Sequence, residues 1–211
     1  MILALSIGAN AVIFRTVDAA LLRPLPFPES DRLVRVWSTK NGMPIGNAGG
    51  PSVLDMRDFA ANAHSFEGLI VYDDWRKNVS GILGSNQAEE TIVGLVSRTY
   101  FELLRIRPIL GRLFSEAENV YGGHHVAIIS RQFWKTRFGG DPGVLGKTVR
   151  INGETYSIIG VVPDVIPGWM DQTAAPIHIW TPFASEEARS MKSSCTTCTR
   201  KPLLAAPHSM A

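Results

Sequence analysis

Lys147-Thr148-Val149-Arg150-Ile151-Asn152-Gly153-Glu154-Thr155-Tyr156-Ser157-Ile158-Ile159-Gly160-Val161-Val162 is the stretch that decides the fold class. Two runs of β-forming residues flank Asn152-Gly153, a dipeptide suited to the left-handed backbone of a two-residue turn, so an antiparallel hairpin is predicted. Upstream, His125-Val126-Ala127-Ile128-Ile129 reads as a continuous apolar strand, and Ser130 is placed to open a helix over 131–138. Residues 69–97 read as strands with turns at Gly81 and Gly84, ending in an apolar run over 91–96. Ser97 then caps a short helix carrying Tyr100, Phe101, Leu103, Leu104 and Ile106, which Arg107-Pro108 closes. Earlier still, residues 32–37 alternate at period two as a half-buried strand, and 39–50 form a loop rich in Gly and Asn. An amphipathic helix is predicted from Ser52, with Val53, Leu54, Met56, Phe59, Ala60 and Ala63 on its apolar face. Strands and helices are mixed without the regular spacing of a barrel or sandwich. The fold class is therefore α+β, with antiparallel pairing in at least one place.

At 211 residues and 23.1 kDa the chain is sized for one domain, or one domain plus an attachment. Apolar residues make up 45% and charged residues 19%, below the usual quarter, which disfavours disorder and a coiled coil. The net charge of +2 is too small to imply a nucleic-acid partner. It is also local. Residues 191–211 hold Lys192, Arg200 and Lys201 and no acid, so residues 1–190 carry 18 basic and 19 acidic groups. Both cysteines, Cys195 and Cys198, fall in the same tail, which excludes a disulfide scaffold.

Residues 1–14 contain no charge, and the apolar character continues past Arg15 and Asp18 to Leu22. As a helix the uncharged run covers about 21 Å, short of the roughly 30 Å hydrocarbon core. A secretory leader would need a basic segment first, and Met1 is followed at once by Ile2, Leu3, Ala4 and Leu5. A buried helix, an interfacial helix and the second half of a membrane helix all remain open. The prolines of Arg23-Pro24-Leu25-Pro26-Phe27-Pro28 then stop any helix and make a stiff connector.

No constellation points to catalysis, and no residue is assigned a catalytic, cofactor or metal role. The run from Asp141 to Thr148 ends like a phosphate-binding loop in Gly146-Lys147-Thr148, but Asp141 stands where a small residue is needed, and a strand follows instead of a helix. Cys195-Thr196-Thr197-Cys198 has the spacing of a metal or redox pair, yet no second pair exists and the tail lacks apolar periodicity. The histidines at 64, 124, 125, 178 and 208 share no ligand spacing, and His124-His125 reads as a solvated turn. Asp73-Asp74 and Glu89-Glu90 are adjacent pairs on strands, so their carboxylates point to opposite faces. Trp75, Trp134, Trp169 and Trp180 read as core and interface anchors.

One ordered series is specific. Gly8 to Phe14, Leu21 to Phe27 and Asp31 to Val34 resemble the start of bacterial ABC-transporter permeases of the FtsX-like family with a MacB-like periplasmic core domain. Tyr100-Phe101-Glu102-Leu103-Leu104, Arg107-Pro108-Ile109-Leu110-Gly111-Arg112-Leu113-Phe114, Phe133-Trp134, Phe138-Gly139-Gly140-Asp141-Pro142, Leu145-Gly146-Lys147, Ile151-Asn152-Gly153, Ile158-Ile159-Gly160-Val161-Val162-Pro163 and Ile179-Trp180-Thr181-Pro182 continue the resemblance to about residue 183.

The resemblance implies a partial transmembrane helix over 1–22, a connector over 23–30, the periplasmic core domain over 31–190, and an unmatched, disordered tail over 191–211. It implies a fragment of a permease subunit that lacks the last three membrane helices and sits in the inner membrane, with its main domain on the periplasmic side. The implied partners are an ABC-type ATPase subunit, a second permease copy and a periplasmic adaptor protein. The implied function is mechanotransmission, coupling ATP hydrolysis in the cytoplasm to transport or work outside, with no enzyme activity or cofactor in this chain. A membrane-tethered interaction module, or a nonfunctional remnant, is the alternative reading.

Overall fold

The computed structural model describes residues 32–36, 62, 66–82, 87–120, 122–123, 125–164, 176–183 and 196–200. Residues 1–22, the proline connector, the body of the helix predicted from Ser52, and the turn at Gly84 lie outside the described residues. Thirteen elements follow in chain order: β1 (Leu33–Val36), β2 (Gly68–Ser80), β3 (Glu89–Val96), α1 (Thr99–Leu103), β4 (Leu110–Gly111), a 3-10 turn (Glu116–Asn119), β5 (Val126–Ser130), α2 (Arg131–Phe138), a second 3-10 turn (Pro142–Val144), β6 (Thr148–Ile151), β7 (Glu154–Val162), β8 (Ile179–Pro182) and β9 (Thr196–Arg200).

The hairpin that set the fold class is β6–β7, registered from Thr148 opposite Ser157 to Ile151 opposite Glu154. Its turn residues Asn152 and Gly153 have φ of 49° and 90°, the left-handed pair that the dipeptide supplies at low cost. Asn152 also ties the turn to β2, donating its N–H to Asn78 O (2.8 Å) and accepting Asn78 N–H on Oδ1 (3.0 Å).

One mixed sheet contains all nine strands, in the order β1-β9-β2-β3-β8-β5-β7-β4. β6 bridges β7 to β2, so the pairings β2-β3-β8-β5-β7-β6 return to β2 as a closed cycle. β3–β8 and β5–β7 are parallel, whereas β2–β3, β5–β8 and β6–β7 are antiparallel. This confirms the α+β class.

Alternation along the strands makes two cores on opposite faces. Ile70 and Tyr72 of β2, Ile92 and Val96 of β3, Ile128 of β5 and Trp180 of β8 meet Tyr100, Phe101, Leu103 and Leu104 at α1. Val79, Val93, Ala127, Ile129 and Ile179, the intervening parity, meet Phe133 and Phe138 of α2. The helices thus cover opposite faces of one sheet.

Two expectations are corrected. Ser97 does not cap α1: the N-cap is Arg98, which makes no side-chain cap bond. Ser97 Oγ instead accepts Val71 N–H (3.1 Å) and sits 3.1 Å from Thr99 Oγ1, which donates to Leu69 O (2.7 Å), fastening the helix start to β2. The helix also ends before Arg107-Pro108, because Arg105 turns left-handed at φ 56°. Second, residues 196–200, expected to belong to a disordered tail, form β9 between β1 and β2. The tail lacks apolar alternation, but its β-branched threonines suit extended backbone, and a strand flanked on both sides is held through its ladder bonds.

Close backbone approach explains the glycines of two of the ordered motifs. Gly111 has φ 73°, and a Cβ there would lie 2.2 Å from Ile159 O. A Cβ on Gly160 would lie 2.3 Å from Arg112 O. β4 and β7 therefore meet through two glycines, with Ile109 N–H donating to Val161 O and Arg112 N–H to Ile159 O.

Candidate functional site

β8 runs beside only the second half of β3, its first partner being Ile179 opposite Val93. Beside residues 89–92 the sheet cycle is therefore open on that side among the described residues, and the opening is a cleft of about 280 Å³. Glu89, Glu90 and Thr91 form one wall, while Gln132, Phe133, Thr136 and Arg137 of α2 form the other, with His178 at the end where β8 begins.

The backbone of β3 faces this opening. Asn78 directs both its N–H and C=O at Asn152, so Asn78 and Glu90 are a non-hydrogen-bonded pair of the antiparallel ladder. Glu90 consequently turns its own N–H and C=O away from β2. Val96, of the same parity, does likewise, its C=O accepting Phe183 N–H at 2.9 Å.

α2 is anchored at the cleft by its cap. Ser130 Oγ accepts Phe133 N–H (3.0 Å) and Asp164 Oδ1 accepts Gln132 N–H (2.8 Å), satisfying two of the orphan donors of the first turn. Ser130 Oγ lies 3.1 Å from His178 Nδ1. Oγ keeps a second lone pair and its own proton for the ring, and the direction of this bond is set by the His178 tautomer. Burial, foremost, holds the His178 pKa below the ordinary histidine value; the Arg137 charge adds to this, and Asp164 and Glu89 oppose it. The ring stacks on Phe133 with centroids 6.1 Å apart.

Serine, histidine and aspartate thus meet at one place, but the serine is 1% exposed and both of its bonds are committed to the cap and ring. The trio is a helix-anchoring assembly. Across the cleft Arg137 reaches Glu89 at 2.5 Å, and Glu90, on the other face, pairs with Arg76 at 3.6 Å.

Other residues weighed from the sequence have structural partners. Asp141 accepts Gly143 N–H and Lys147 Nζ (2.8 and 2.7 Å), and these bonds, the lysine first, hold its carboxyl below the usual range. Lys147 points at this carboxylate, so the phosphate-loop resemblance is a turn closed by an ion pair. Trp134 Nε1 donates to Asp141 O (2.8 Å) and fixes the same turn. Trp180 is fully buried, whereas Trp75 is 44% exposed. His125 lies 3.8 Å from Glu154 at the surface. Cys195, His64, His124, Trp169 and His208 lie outside the described residues, and only the backbone of Cys198 is described, in β9. Among the described residues no three His, Cys, Asp or Glu side chains gather in a metal-binding group, and no helix is long and apolar enough to cross a membrane.

No single motif marks the cleft, because its walls lie more than 40 residues apart in the chain. The nearest signal was Ser130, read as a cap; His178 and Glu89 acquire their meaning only from the sheet.

The chain is similar in fold to the periplasmic region of MacB from Actinobacillus actinomycetemcomitans, with TM-score 0.61 and 15% identity over 83% of this chain and 76% of that one. It is also similar to the extracellular domain of the noncanonic ABC-type transporter YknZ from Gram-positive bacteria, with TM-score 0.57 and 14% identity over 80% of this chain and 81% of that one. No curated protein matches the sequence. The model of the MacB-like periplasmic core domain matches residues 1–199, extending past residue 190 into the tail expected to be unmatched. The ordered motifs, the two-faced sheet and this match together place the chain in the MacB-like periplasmic core domain family.

Proposed function

We propose that this chain is the extracytoplasmic part of an ABC-transporter permease subunit and that it transmits movement instead of performing chemistry. The family match over residues 1–199 carries this reading. The charge-free run at 1–14 serves as part of a membrane anchor, and the main domain lies on the periplasmic side of the inner membrane. An ABC-type ATPase subunit on the cytoplasmic side supplies the energy, a second permease copy completes the pair, and a periplasmic adaptor protein receives the motion.

A mechanical element needs stiffness, so that displacement at one end appears at the other. The architecture supports that role: strand pairings close in a cycle, helices brace both faces, and the two cores share the same strands. Force enters through residues 23–30, where Pro24, Pro26 and Pro28 restrict bending. Replacing Pro24 and Pro26 together by glycine at the matching positions of an intact, reconstituted permease should leave ATP hydrolysis in place while transport per ATP falls. Unchanged coupling would overturn the proposed route.

A further inference from the structure

We propose that the cleft between β3 and α2 binds an extended peptide segment of a partner protein by strand addition, the segment carrying a basic side chain. This stands on the geometry of the cleft and not on the transport reading. Glu90 directs its N–H and C=O into a lane that β8 does not occupy, since β8 pairs from Val93 onward. Among the described residues no turn, loop or cap bond reaches those two groups. An exposed ladder edge of this kind is a template for another strand, and main-chain bonds provide affinity whatever the partner's sequence.

The dimensions fit a short segment. The cleft of about 280 Å³ lies at the small end of ligand clefts, and residues 89–92 span about 10 Å of strand at 3.3 Å per residue. The opposite wall supplies side-chain recognition. The Gln132 amide lies exposed on the first turn of α2, and the Phe133 ring and the His178 imidazole complete the wall.

Charge selects the occupant. The charged residues that line the cleft are Glu89, Glu90 and Arg137, the arginine already paired with Glu89. The balance is one negative charge, which favours a lysine or arginine on the incoming strand over an acidic residue.

The test uses the full chain in detergent micelles and a capped hexapeptide of alternating lysine and valine. Amide hydrogen exchange should show Glu90 N–H unprotected in the free chain and protected at least tenfold with peptide, while Val93 N–H, inside the β3 ladders, changes little. A glutamate–valine peptide should bind about threefold or more weakly, as expected for loss of an exposed ion pair. A lysine–valine peptide N-methylated on one edge should lose binding. Gln132→Trp, at an exposed helix position, and Thr91→Arg fill the lane from opposite walls, and each should abolish the protection. Protection of Glu90 already present in the free chain would mean that the lane is filled internally and would overturn the proposal. Unaltered binding of the N-methylated peptide would overturn it too.

Discussion

Ser130 Oγ stands 3.0 Å from Phe133 N and 3.1 Å from His178 Nδ1, so one buried hydroxyl joins the cap of α2 to the first residue before β8. Ser130 N–H also donates to His178 O at 2.9 Å. Removing the hydroxyl leaves Phe133 N–H and the ring nitrogen without their partner. Ser130→Ala should cost about 2 kcal/mol, the upper end for an N-cap, read as a lower urea midpoint at unchanged slope. Ser130→Asp keeps a cap acceptor for Phe133 N–H but brings a charge into a buried place. It should recover part of the loss at neutral pH.

His178 makes stability fall with acid. Its folded pKa is depressed, chiefly by burial, below the value near 6.5 of an unfolded histidine. The unfolded chain therefore takes up the proton first. The contribution is fully present above about pH 6.5 and is lost as pH falls from there through the folded pKa. Thermal melts of the wild-type chain and His178→Gln between pH 7.5 and 5 should show a shallower pH slope in the variant. Equal slopes would place the titration elsewhere.

Arg112 and Glu118 form a two-bonded pair at 2.9 and 2.5 Å, and Glu118 Oε2 also accepts Ser115 N–H at 2.8 Å. The Arg112 bond, foremost, lowers the Glu118 pKa, although burial opposes it. A depressed carboxyl contributes stability above its unfolded pKa, lost as pH falls through the folded one. The arginine side chain is 55% exposed, so solvent screening limits the pair to about 1 kcal/mol. A double-mutant cycle of Arg112→Ala and Glu118→Gln should give a coupling of that size at pH 7 that falls away as pH drops through the folded pKa of Glu118.

Gly160→Ala should be far worse than its one added methyl implies. The new Cβ meets the Arg112 carbonyl, which is backbone and cannot swing aside. A cost of about 3 kcal/mol, or failure to fold, is expected. Gly139→Ala, where a Cβ meets nothing within 4 Å, should cost only the left-handed strain of φ 64°, about 1 kcal/mol. Denaturant midpoints of the two variants separate these causes.

What was legible in the sequence follows from how local each signal is. The β6–β7 hairpin, the strand before Ser130 and helix α2 were readable because turn dipeptide, apolar run and cap lie within a few residues of one another. Ser97 resembled a cap by the same logic, yet β2 lay near enough to take its hydroxyl. The return of the pairing from β6 to β2 joins Val79 to Ile151, a contact between distant residues with no local trace. β9 was invisible because its order comes from ladders on both sides and not from its own pattern. The cleft belongs to the same class: Glu89, Arg137 and His178 meet only once β8 stops short of the start of β3.

The most direct test of the central claim is fractionation of the expressed chain in a bacterial host, with protease added to the outer face of spheroplasts. The account predicts a membrane-retained chain whose residues beyond 30 are cleaved from outside. A soluble product, protected from protease inside the cell, would contradict the placement of this domain on the extracytoplasmic side.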